Sequence, residues 1–134
     1  MAPLSVLLAT AAACVLLNIW LGARIARLRR DLKVSVGDGG HEFLLRRMRA
    51  QANFIENAPC VLIILGGLEL SAANPAGLAV IATLFILSRI AHGIGMDGAE
   101  LRRWRMWGMI GTTIVNIALA AWAIYVASFA FLGG

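Results

Sequence analysis

Every lysine and arginine in this chain lies in one of two stretches, Arg24 to Arg49 and Arg89 to Arg105, and each stretch separates long apolar runs. Basic residues accumulate in the short cytoplasmic loops of membrane proteins. The pattern therefore predicts four membrane spans with both termini on one side and both basic loops on the other. Leu4 to Ala23 and Met106 to Leu132 carry no charge and are long enough to cross about 30 Å of hydrocarbon. Gly77 to Met96 is a third run, interrupted by Arg89 and His92. The fourth, Phe43 to Leu70, is polar through its first half. A chain of 134 residues that is 60% hydrophobic has too little interior to hide that surface, so lipid must cover it.

Turn chemistry divides the chain into helices at about 3–30, 42–70, 77–97 and 104–132, forming one membrane domain over residues 1–134. Val36-Gly37-Asp38-Gly39-Gly40 breaks the first helix, and Asn74-Pro75 and Asp97-Gly98 mark the next two turns. Pro59 cannot donate to the carbonyl of Ile55, which predicts a bend in helix two. The first apolar run has its arginines after it rather than before it, so it reads as a retained span and not a signal peptide. Glu69 is the only charge expected on the terminal side. Cys14 and Cys60 both fall inside spans, which gives neither a disulfide framework nor a metal site. The basic balance of +5 borders the spans and does not line a soluble surface. It points to anionic lipid headgroups or an anionic ligand rather than nucleic acid.

Ionisable groups at membrane depth are costly and face an interior, a cavity or a partner charge. Arg46, Arg49, Asn53 and Glu56 recur at helical spacing on helix two, as do Arg89, His92 and Met96 on helix three. Glu56 lies roughly 10 Å inward from Arg49 and Arg89 roughly 12 Å inward from Asp97. Their similar depth predicts an interaction, direct or through a ligand. An ion pair that merely joins two helices is the simpler reading of those two residues alone. Adding Arg49, Asn53, His92 and Arg105 makes a polar cavity open to the cytoplasm the better one. Asn18 and Asn116 are read as interhelical hydrogen-bonding residues, and His41 as a solvated loop residue. Guanidinium groups bind carboxylates in bidentate fashion and stabilise a nearby thiolate. A small anionic peptide carrying a thiol would use both properties.

The segment Arg46-Arg47-Met48-Arg49-Ala50-Gln51-Ala52-Asn53-Phe54-Ile55-Glu56-Asn57-Ala58-Pro59 resembles the helix-two motif of the membrane-associated proteins in eicosanoid and glutathione metabolism, the MAPEG superfamily. Val34 to Gly40 and Arg103-Trp104-Arg105-Met106-Trp107-Gly108-Met109 look like its bacterial inner-membrane branch, and Ser88-Arg89-Ile90-Ala91-His92 resembles helix three of its prostaglandin-forming members. The resemblance implies a homotrimer of four-helix subunits with glutathione sites at the subunit interfaces near the cytoplasmic side. It makes Arg46, Arg49, Asn53, Glu56, Arg89 and His92 glutathione-binding residues, with Arg27 a weaker match. It also makes Arg105 the residue that holds the thiolate, with Arg103 and Arg102 as competitors. Met96 stands where eukaryotic members have a ligand-contacting tyrosine, Leu45 replaces a glutamate, and Asn57 replaces a common aromatic residue.

The implied function is a glutathione-dependent transferase or peroxidase of the inner membrane, acting on lipophilic electrophiles or lipid hydroperoxides. A non-catalytic lipid-binding or scaffold protein with the same fold is the rival from another class. A small multidrug transporter also uses four helices and a membrane carboxylate, but an arginine-rich pocket would repel its cationic substrates.

Overall fold

The computed structural model describes residues 4–132, in which four helices form and no strand occurs: α1 (Ser5–Leu32), α2 (Glu42–Leu70), α3 (Pro75–Gly95) and α4 (Arg102–Leu132). Residues 1–3 and 133–134, the ends of the expected unit, lie outside the described residues. All four helices are long and apolar enough to cross a membrane. Their outward faces carry Leu16, Ile19, Ile63, Val80, Leu87, Ile114 and Ile117, all exposed. Apolar cover of this kind suits a bundle solvated by lipid, where helices satisfy their own backbone groups.

The helix ends differ from the sequence expectation by a turn or less, and capping explains why. Asn74 accepts a hydrogen bond from the Gly77 amide at 3.0 Å and Pro75 occupies the first turn, so α3 starts two residues before Gly77. It stops at Gly95, before Asp97, and α4 starts at Arg102, ahead of residue 104. α1 runs on to Leu32 and closes through Lys33 in the left-handed region, φ 56°. α2 spans Glu42–Leu70 as expected and continues through Pro59.

α3 and α4 pack most extensively and α1 and α2 next, while among the described residues α1 and α4 do not meet. Small residues set the first contact. A Cβ at Gly95 would strike the Arg105 backbone, and one at Gly108 would lie 2.5 Å from the His92 backbone nitrogen. Close approach through glycine is how membrane helices gain contact area where no hydrophobic force drives them together. The core between the four helices holds Leu21, Phe54, Val61, Leu65, Leu78, Phe85, Val115 and Leu119.

Polar ties run the length of the bundle. Gln51 Nε2 donates to Asn18 Oδ1 at 3.0 Å, joining α2 to α1. Asn116 Nδ2 donates to Asn57 Oδ1 at 2.9 Å, joining α4 to α2. Asn18 and Asn116 thus make interhelical hydrogen bonds, as expected of them. At the end away from the basic loops, the buried Glu69 carboxylate accepts the Val6 and Leu7 amides at 2.9 and 2.8 Å and the Ser5 hydroxyl at 3.3 Å. It caps α1, whose own preceding residue, Leu4, has no side chain to do so. At the basic end, Asp97 forms ion pairs with Arg24 and with Arg47.

Candidate functional site

The first turn of α4, the α3–α4 turn and the first half of α2 enclose a pocket of about 270 Å³ lined by Arg46, Gly95, Met96, Gly98, Ala99, Arg102 and Arg105. Gly95 lets the end of α3 lie directly on the α4 backbone, which brings Arg105 to the pocket wall. Among the described residues no carboxylate lines it. Arg46 pairs with Glu42 at 2.6 Å on the open surface, a contact of small net worth. Arg102 and Arg105 have no ion-pair partner among the described residues. The pocket therefore concentrates positive charge that an anion would neutralise.

Deeper along the α2–α4 seam lies a cavity of about 100 Å³ lined by Asn53, Asn57, Arg89, Met109, Thr112 and Thr113. Arg89 is 2% exposed and organises it. Its Nη2 donates to Asn53 Oδ1 at 2.8 Å and lies 3.0 Å from His92 Nδ1, while its Nη1 donates to Thr112 Oγ1 at 3.1 Å. Thr112 in turn donates to the Gly108 carbonyl at 2.8 Å. The Nε of Arg89 is buried without a hydrogen-bond partner. The guanidinium is thus held by neutral acceptors, with no carboxylate against it.

Asn53, Arg89 and His92 come together here, and Arg46, Arg102 and Arg105 meet in the outer pocket. Arg27, Arg49, Glu56 and Arg103 are exposed and line neither cavity. The expected direct contact between Glu56 and Arg89 does not form: Arg89 bonds Asn53, one turn earlier on α2. Three residues along a helix is a rotation of about 60° from the starting direction, enough to move Glu56 from the seam to the open flank. Sequence reasoning missed Asp97, Thr112 and Thr113. The signal was present on α4, where Arg105, Met109, Thr112 and Asn116 share one face at spacings of three and four.

The donor set fits an anionic tripeptide in kind. Three guanidinium groups surround a polar hollow, and neutral amide and hydroxyl groups lie beyond it. The volume is small for a whole ligand, since small-molecule sites usually occupy about 300–1,000 Å³. Arg49 and Glu56 remain outside, on an exposed flank of α2.

An integral membrane bundle of four spans with an arginine-lined mouth is the class defined by this fold and site. The MAPEG family profile matches residues 7–125, and the chain belongs to that family. The family is broadly one of membrane transferases and peroxidases and is generally associated with glutathione. The chain is also similar to inner membrane protein YecN of Escherichia coli strain K12 and to its counterpart in Escherichia coli O6:H1, at 28% identity over 88 residues in each case. Those matches cover 66% of this chain and 66% of each relative. Together with the four apolar helices, they make this an integral protein of inner-membrane type.

Proposed function

We propose that the protein is a glutathione-dependent membrane transferase or peroxidase acting on lipophilic electrophiles or lipid hydroperoxides. The observation that carries this reading is the pocket of three guanidinium groups, without a lining carboxylate, at the mouth of a polar seam. Bound glutathione supplies a nucleophilic sulfur. Arg105 stabilises negative charge on that sulfur, and Arg46 and Arg102 bind carboxylates, for which the planar guanidinium is shaped. Arg89 and His92 orient Asn53 along the seam. The lipophilic partner arrives through the bilayer along the apolar outer faces.

Three copies assemble so that the exposed flank of α2, carrying Arg49 and Glu56, meets a neighbour and adds both residues to its site. Arg27 of α1 contributes at the same rim. Both basic loops face the cytoplasm and both termini the periplasm, a reading supported by the distribution of lysine and arginine.

The test is the ultraviolet absorbance of thiolate on mixing glutathione with wild type, Arg105→Ala, Arg103→Ala and Arg102→Ala proteins. Wild type is expected to show the band and Arg105→Ala to lose it. Loss in Arg102→Ala or Arg103→Ala alone would reassign the thiolate site, and no band in wild type would refute the reading.

Met96 lines the pocket and offers no hydroxyl where eukaryotic members of the family carry tyrosine, which favours a second reading as a non-catalytic lipid-binding or scaffold protein. Hydrophobe binding that survives Arg105→Ala, with no turnover in either form, would support it.

A further inference from the structure

The turn between α3 and α4 supplies most of the arginine pocket's wall through Gly95, Met96, Gly98 and Ala99. Asp97 lies in the middle of that turn and takes no part in the lining. It reaches instead to α1 and α2. Its Oδ1 accepts from Arg47 Nε at 3.0 Å and forms an ion pair with Arg24. The two arginines are themselves tied down: Arg47 Nη1 donates to the Arg24 carbonyl at 3.1 Å, and Arg24 Nη1 to the Gly93 carbonyl at 3.1 Å. Each guanidinium also stacks on an aromatic ring, Arg24 over Trp20 at 4.4 Å and Arg47 over Phe43 at 4.6 Å.

We propose that Asp97 is a positioning residue for the arginine pocket. By binding Arg24 and Arg47 it pins the Gly95–Ala99 turn to α1 and α2, and so fixes how far Arg46 stands from Arg102 and Arg105. This inference rests on reading that pocket as the thiol site.

Three like charges in one pocket repel, and the segment that carries two of them begins in a turn held by few backbone bonds, among them Asp97 N to the Ile94 carbonyl at 3.0 Å and Leu101 N to the Gly98 carbonyl at 3.2 Å. A brace is needed to keep the first turn of α4 from swinging outward. Exposed ion pairs contribute little to such a task. This one is largely withdrawn from water, with the Arg24 and Arg47 side chains 14% and 19% exposed and Asp97 28%. Its bonds are charge-assisted and its cations are stacked. Arg47 also directly follows Arg46, so the same clamp holds the pocket's α2 wall.

The experiment compares full-length wild type with Asp97→Asn, Asp97→Glu and Arg47→Lys. Hydrogen exchange is followed over residues 95–101, and glutathione binding and turnover are measured on the same samples. In Asp97→Asn, exchange in the turn should be about tenfold faster and the glutathione Kd and KM about tenfold higher, with kcat at saturation within about twofold of wild type. Asp97→Glu should recover most of the binding. Arg47→Lys keeps the charge but loses the fork, so it should move both readouts the same way by a smaller factor, and it decides the matter if Asp97→Asn fails to fold. Unchanged exchange in Asp97→Asn, or faster exchange with unaltered glutathione affinity, would overturn the proposal. Wild type that binds no glutathione would refute the proposed function instead, and exchange would then still show whether Asp97 braces the turn.

Discussion

Arg89 is the residue whose surroundings most reward close reading. A guanidinium held inside a membrane bundle by an asparagine, a threonine and a histidine has both terminal nitrogens bonded without its charge being cancelled, while its Nε stays unpartnered. Removing it leaves Asn53 Oδ1 without its donor and adds empty volume. Arg89→Ala is expected to cost about 2–4 kcal/mol in reversible unfolding in detergent. Thr112→Val, which removes one acceptor and keeps the shape, should cost about 1 kcal/mol. Depth in the sequence marks Arg89 as an ionisable group within the bundle, whereas its direct partner on α2 is Asn53 and not Glu56. Depth along a helix follows from residue counting, whereas direction around it turns by about 100° per residue and needs the neighbouring helices to be known. That is why Asn53 and Glu56 looked equivalent until the seam was placed.

At the scale of the helices, the α3–α4 contact is the most demanding. Gly108 faces the His92 backbone nitrogen and the Ser88 carbonyl so closely that even a methyl group has no room. Gly108→Ala should therefore lower stability by about 1–3 kcal/mol and weaken any ligand held at Arg105, three residues away. Gly67→Ala is the contrast within one chain: nothing lies within 4 Å of a Cβ there, so any loss of stability it causes reports a neighbouring copy against the α2 flank. Thermal unfolding should fall for Gly108→Ala even in monomer-forming detergent, where Gly67→Ala should not lower it. The four helices were legible because hydropathy and basic loops constrain them directly, and α2 matches its expected limits. The shifted ends of α3 follow from Asn74-Pro75, a cap and first-turn pair that was read only as a turn. The Asp97 clamp was illegible for another reason: it joins residues far apart in sequence, and no periodicity records such a meeting.

Taken as a whole, the molecule has one flank that lipid alone suits poorly. Leu45, Arg49, Ala52, Glu56, Ile63, Gly67 and Leu70 form an exposed stripe down α2, with two opposite charges and small residues among the apolar ones. Arg49 and Glu56 are seven residues apart, too far to pair on their own helix. A neighbouring copy in the same orientation would leave them at different depths but would withdraw both from lipid. In the three-copy assembly proposed above, the protein extracted in mild detergent should have the mass of three 14.3 kDa chains plus bound detergent, and Glu56→Ala should shift it toward monomer. Cys60, exposed on the same side of α2, should be joined to a neighbouring copy by a short thiol cross-linker, whereas the buried Cys14 should not react. A cysteine placed at Ser35 should be labelled by an impermeant reagent only in inverted vesicles, which tests the orientation.

The Glu69 contact has a bearing on how such a chain is made. The opening amides of the first helix acquire their acceptor only when residue 69 arrives at the same membrane face, by which time a second segment has been threaded back across. Until then the leading segment sits in the bilayer with its dipole uncompensated. The pair is accordingly the smallest portion in which those amides have a protein acceptor, and ribosomes stalled before that carboxylate emerges should yield a first segment that alkaline extraction removes more readily.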